Sequence, residues 1–110
     1  MDTIRLMSNH RVADLERAER WYTALVGRGP DARPMDGLLE WHLSDTTGIQ
    51  VWLEPEAAGS SGCTVSVADL DDAAVALARA GIDHGGVEAA TSVRILRLTD
   101  PDGNRVVLTD

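Results

Sequence analysis

The sequence predicts an α+β fold made of two βαβββ modules, residues 1–55 and 56–110. Three observations carry this. Val12-Ala13-Asp14-Leu15 recurs as Val67-Ala68-Asp69-Leu70, an offset of 55 in a chain of 110 residues. The same offset aligns Leu43–Gly48 with Leu98–Gly103, and Leu53 with Leu108. Each tetrapeptide also closes a β-branched or apolar run and opens a helical pattern, which is how a duplicated unit reads in sequence.

Thr3–Ser8 alternates as a strand, and Asn9-His10-Arg11 reads as a polar connection. Asp14 suits a helix N-cap. Leu15, Ala18, Tyr22 and Leu25 then form an apolar stripe, and Gly27 stops the helix. Residues 28–37 read as a loop with room for a short edge strand. Leu38–Leu43 and Ile49–Leu53 alternate as strands around a turn at Ser44–Gly48. Glu54–Ser61, with its Pro, Gly and Ser, is a linker.

The second half repeats the order. Cys63, Val65 and Val67 share one face, with Thr64 and Ser66 on the other. Asp69 caps a helix whose stripe is Leu70, Ala73, Leu77 and Ala80, ended by Gly81. His84-Gly85-Gly86 is loop. Val93–Leu98 and Arg105–Thr109 are strands joined by a Pro-Asp-Gly turn.

One domain of this size buries roughly two-thirds of its unfolded surface, and the apolar fraction of 44% supplies a core. The formal net charge of −8 argues against nucleic acid or an anionic membrane as partner. One cysteine, Cys63, allows no internal disulfide, and no apolar run approaches a bilayer span. A cytoplasmic location is expected.

VADLERAERWYTALVG at 12–27 and LTDPDGNRVVL at 98–108 resemble the opening helix and closing hairpin of the vicinal oxygen chelate superfamily. Glyoxalase I, extradiol dioxygenases and bleomycin-resistance proteins belong to it. With the repeat, the resemblance covers essentially the whole chain. It implies two modules whose strands form a curved mixed sheet, helices on the outside, a ligand or metal in the cup, and a homodimer.

Family enzymes hold a divalent metal through four side chains, and the matching positions here are Met7, Trp52, Gly62 and Val107. None is a usual ligand for such an ion. The resemblance therefore implies a cup with no metal and no other cofactor, and makes glyoxalase I and extradiol dioxygenase activity unexpected.

The same positions fix the inward face: Arg5, Met7, Gln50, Trp52, Thr64, Ser66, Arg105 and Thr109, with Leu38, Glu40, His42, Val93, Ile95 and Arg97 from the hairpin partners. The outward set is almost wholly apolar: Ile4, Leu6, Leu39, Trp41, Leu43, Ile49, Val51, Leu53, Val65, Val67, Leu96, Leu98, Val106 and Leu108. The candidate ligand-binding residues are Arg5, Met7, Glu40, His42, Gln50, Trp52, Thr64, Ser66, Arg97 and Arg105.

Two functions fit. One is metal-independent binding of a small aromatic or polar ligand, with Trp52 as stacking platform. The alternative is a metal-free lyase or isomerase in which His42 and Glu40 move a proton. Plainer readings stand beside both. His42 is a strand surface residue, Trp52 fills the metal's space or an interface, and Glu40 with Arg97 is a cross-strand ion pair. Trp41 is core, Trp21 packs beside the stripe or at a dimer contact, and Cys63 is buried. His10 and His84 face solvent, Gly85-Gly86 precedes no helix, and Asp100 and Asp102 are turn residues.

Overall fold

A computed structural model describes residues 1–110. The order is β1 (Leu6–Val12), α1 (Leu15–Val26), β2 (Ala32–Met35), β3 (Leu38–His42), β4 (Thr47–Leu53), β5 (Gly62–Ser66), α2 (Leu70–Arg79), β6 (Glu88–Ala89), β7 (Arg94–Thr99) and β8 (Arg105–Thr109). The strands form two four-stranded sheets, β1-β4-β3-β2 and β5-β8-β7-β6. β1 runs parallel to β4 and β5 parallel to β8; the remaining pairs are antiparallel.

The repeated aspartates start both helices. Asp14 accepts from the N–H of Arg17 at 3.0 Å, and Asp69 from the N–H of Asp72 at 2.9 Å. Each satisfies a backbone donor that the first turn leaves free. Gly27 stops α1 at φ 90°, a left-handed conformation that favours glycine, and donates to the carbonyl of Thr23.

The first strand differs from expectation. It runs Leu6–Val12, so Asn9-His10-Arg11 is strand and Thr3–Arg5 is not. The reason is tertiary. β4 offers a continuous parallel partner from Thr47 to Leu53, and β1 pairs along all of it. Ile4, placed on the apolar face by the sequence, is 82% exposed because it precedes the strand. Leu6 and Leu53, at the strand ends, are exposed too.

The duplication also carries a two-residue slip. Asp14 and Asp69 cap their helices 55 residues apart. In the hairpins, the Leu43 N–H bonds the Thr47 carbonyl, as the Asp100 N–H bonds that of Asn104. Those equivalents are 57 apart. Strand register agrees: Leu39 faces Val51 as Leu96 faces Leu108, and Trp41 faces Ile49 as Leu98 faces Val106. The alignment of Leu43–Gly48 with Leu98–Gly103 at 55 is corrected accordingly.

These eight side chains are all buried and meet Ala18, Tyr22, Leu70 and Leu77 from the helices in one core. Trp41 is fully buried, as expected, and its indole N–H donates to the Arg28 carbonyl at 2.9 Å. Trp21 is half-buried, edge-on to Tyr22 with ring centroids 4.8 Å apart. Cys63 is half-buried beside the core, where burial pushes its thiol pKa up. It is a poor nucleophile there.

A buried polar network crosses the two modules. His10, expected at the surface, is fully buried on β1. Its Nδ1 lies 2.7 Å from the Tyr22 hydroxyl, which donates to Asp100 Oδ2 at 2.7 Å. Because that hydroxyl has one proton, His10 Nδ1 carries an N–H and donates. Asp100 Oδ1 accepts from the backbone N–H groups of Asp102, Gly103 and Asn104. Asn104 Nδ2 donates to Asp100 and to the Arg11 carbonyl, both at 2.7 Å. The turn of module two is thus tied to β1 and α1 of module one. Asp100 is a turn residue, as the sequence indicated, but a buried one.

His10 Nε2 is buried with no partner. Protonation would leave a charge there unsolvated, so burial lowers the His10 pKa below 6.5, the nearby Asp100 opposing in part. The unfolded chain then binds more protons than the folded one, and stability falls as pH drops below the unfolded value of 6.5. The slope is at most about 1.4 kcal/mol per pH unit for one group. Urea midpoints taken at neutral and mildly acidic pH measure it; a His10→Gln variant loses that part of the slope.

His84 also departs from expectation. It is half-buried: Nδ1 accepts from the Gly86 N–H at 3.1 Å and Nε2 donates to the Ala74 carbonyl at 2.9 Å, pinning the loop to α2.

Candidate functional site

Side chains alternate across a strand, so every residue that opposes the core lies on the other face of its sheet. On the first sheet this gives three rows across β1, β4 and β3: Met7–Gly48–His42, Asn9–Gln50–Glu40 and Arg11–Trp52–Leu38.

The middle row is a hydrogen-bonded ladder. Asn9 Nδ2 donates to Gln50 Oε1 at 3.3 Å, and Gln50 Nε2 donates to Glu40 Oε2 at 2.7 Å. The other Glu40 oxygen lies 3.1 Å from His42 Nε2. The bond from Gln50, then that from His42, holds the Glu40 carboxyl below its usual range, with the charge of Arg5 adding to the effect. Glu40 is therefore an ionised, pre-oriented acceptor at neutral pH.

Beside this ladder stands Trp52, half-buried, with its ring edge at the Gly37 turn. Arg11 in the same row pairs with Glu54 at 3.3 Å. In the third row the Met7 sulfur lies 2.6 Å from where a Cβ on Gly48 would sit. Only glycine lets Met7 fold across the sheet.

The second sheet carries its own basin of about 500 Å³. Gly62, Thr64, Arg97, Thr99, Arg105 and Val107 line it. Arg97 donates to Glu88 at 2.9 Å, not to Glu40 as the cross-strand reading had it; Glu40 and Arg97 stand on different sheets. Thr64 and Ser66 also border a cavity of about 330 Å³ at the seam where β5 meets β1 and β4. A further cavity of about 470 Å³, apolar, lies between the end of α1 and α2.

The expected site residues thus divide. Glu40, His42, Gln50, Trp52 and Met7 share the polar face of one sheet. Thr64, Arg97 and Arg105 share the other basin, which holds none of those five. Arg5 precedes β1 and bonds the Asp45 carbonyl, so it stands outside the strand face where the sequence placed it. Asn9 and Arg11 were missed, because Asn9-His10-Arg11 reads as a loop. The alternation of Ser8, His10 and Val12 on one side was the available signal, masked by its polar members.

The residues at the family's metal positions do not fit a metal. Met7 is packed over Gly48, Gly62 has no side chain, Val107 offers no donor, and Trp52 has only an N–H; the two-residue slip makes Gln50, not Trp52, the counterpart of Val107, and its amide is held between Asn9 and Glu40. Nowhere do three His, Cys, Asp or Glu side chains gather as ligands would. The Glu40–His42 pair is the one acid–base couple on the polar faces, and its bond can hold or move a proton.

No protein-family model matches the chain, and no curated protein does. Solved structures do. A glyoxalase/bleomycin resistance protein from Catenulispora acidiphila is 28% identical, with a TM-score of 0.89 over 97% of each chain. An antibiotic-binding protein, TnmS3, from a Streptomyces species is 24% identical, with a TM-score of 0.76 over 98% of this chain and 94% of its own. A bleomycin-binding protein solved with bleomycin is 20% identical, with a TM-score of 0.82 over 98% of each chain. Two βαβββ units with two helices, laid out as in these structures, give the chain the glyoxalase/bleomycin-resistance fold of the vicinal oxygen chelate superfamily.

Proposed function

We propose that the protein is a metal-independent binder that sequesters a small aromatic or polar molecule in the cup. The observation that carries this is Trp52 beside the Asn9–Gln50–Glu40–His42 ladder. A flat ring can stack on the indole while fixed donors and an ionised acceptor orient its polar edge. The antibiotic-binding and bleomycin-binding neighbours support a binding role for this fold.

We further propose a cytoplasmic homodimer, each chain one functional unit of modules 1–55 and 56–110. The faces carrying Trp52 and Arg105 lie in separate places on one chain. A second copy would close the cup over both. No helix is long and apolar enough to cross a membrane, and the net charge of −8 argues against a nucleic-acid partner.

A thermal-shift screen of aromatic antibiotics and metabolites tests the binding role. A hit at 100 times its dissociation constant stabilises the fold by about 2.7 kcal/mol. Trp52→Leu is expected to weaken that hit about five- to twelvefold, the loss of a stacking contact worth roughly 1–1.5 kcal/mol. A hit indifferent to Trp52 would place the ligand elsewhere.

The Glu40–His42 bond favours a second reading, a metal-free lyase or isomerase. His42→Ala must then abolish turnover of a bound ligand while leaving its affinity within a few-fold.

A further inference from the structure

The duplicated scaffold places opposite charges at equivalent points of its two polar faces. In the structural register Glu40 corresponds to Arg97, both on the edge-side strand of the hairpin and both 57 apart like Leu43 and Asp100. Gly48 corresponds to Arg105, and Gln50 to Val107. The first face presents a held carboxylate and an indole. The second presents two guanidiniums and hydroxyls.

The guanidiniums are placed for use. All ten basic residues of the chain are arginine, set among 18 acids. Six of them, Arg11, Arg17, Arg28, Arg33, Arg94 and Arg97, form ion pairs with carboxylates. Arg5, Arg20, Arg79 and Arg105 form none, and of these four Arg105 alone lines the basin. It stands on the middle strand pair of the basin, flanked across the sheet by Gly62 and Thr99. Gly62 leaves the space beside it open. Arg97 opposes Val107, one step diagonal from Arg105, so both side chains rise over the same floor. Its pair with Glu88 uses Nε and is solvent-exposed, leaving the terminal nitrogens free.

We propose that the second sheet's basin recognises the oxyanion of a small aromatic acid, a carboxylate or sulfonate held by Arg105 and Arg97. The planar fork of a guanidinium matches such a group in bidentate fashion, and Thr64 and Thr99 supply further donors. The net charge of −8 repels anions at long range, so any preference for one must arise locally. This inference rests on the cup-binding reading and narrows it to a ligand class.

The test is isothermal titration of the intact protein with 2-naphthoate, its neutral isostere 2-naphthamide, and 2-naphthylmethylammonium. The naphthoate is expected to bind at least about tenfold tighter than the amide, as one charge-assisted bond provides. Arg105→Gln removes that preference, bringing the naphthoate down to the affinity of the amide measured on the same variant. Arg97→Gln reduces it, and raising the salt concentration erodes it. Equal binding of the three probes, or a preference for the ammonium, overturns the oxyanion site; if Trp52→Leu still weakens them all, the cup reading survives. Binding of none of the three at millimolar concentration overturns both.

Discussion

Asp100→Ala is expected to destabilise the fold by about 3–5 kcal/mol, the cost of taking one shared acceptor from several donors of a buried hydrogen-bond network. The residue is 3% exposed and accepts five hydrogen bonds, three from backbone N–H groups of its own turn and one each from Tyr22 and Asn104. Alanine removes the shared acceptor of donors that are buried at Tyr22 and Asn104 and part-buried at Asp102 and Gly103. Tyr22→Phe removes only the hydroxyl, so it loses about 1–2 kcal/mol, from the donor of His10 and one of two bonds to Asp100 Oδ2. Denaturant titration measures both. The double variant should cost less than the sum, because the two residues share one network. If Asp100→Ala costs under about 1 kcal/mol, the network does not hold the modules together.

Gly59→Ala has the second-largest expected effect, about 2–4 kcal/mol. Gly59 stands at φ +85°, and a Cβ there would run into the Asp102 carbonyl oxygen. Its N–H donates to the Arg11 carbonyl at 3.2 Å. The linker therefore passes between β1 and the second-module turn with no room for a side chain. Asp102 itself bonds the Ala13 N–H and pairs with Arg17 at 3.1 Å. Displacing it disturbs the same seam that Asp100 holds. Gly81→Ala is the control. Its φ is +90°, yet nothing lies within 4 Å of the added Cβ. It should lose only the left-handed penalty of roughly 1–2 kcal/mol. Equal losses at the two glycines would show that the close approach at Gly59 relaxes freely.

Helix starts, helix ends and strand faces were legible because they depend on neighbours in sequence. Asp14 and Asp69 cap by reaching three residues ahead, and the buried hairpin residues Leu39, Trp41, Ile49, Val51, Leu96, Leu98, Val106 and Leu108 announce themselves by alternation. Alternation sorted the two faces of each strand, and the family resemblance implied which of them points inward, which is how Glu40, His42, Gln50 and Trp52 were grouped. Arg5 was misplaced with the start of β1, since only pairing with β4 says where that strand begins.

The amino-acid sequence by itself determined a doubled βαβββ chain and the apolar and polar faces of its strands. Tertiary structure alone decided the two-residue slip between the hairpins, the burial of His10 with Tyr22 and Asp100, and the division of the polar residues between two separate sheet faces. The physical reason is range. Caps and alternation are set within a few residues, whereas Tyr22 and Asp100 meet across 78 positions of sequence, and no local pattern records which distant donor will find which acceptor.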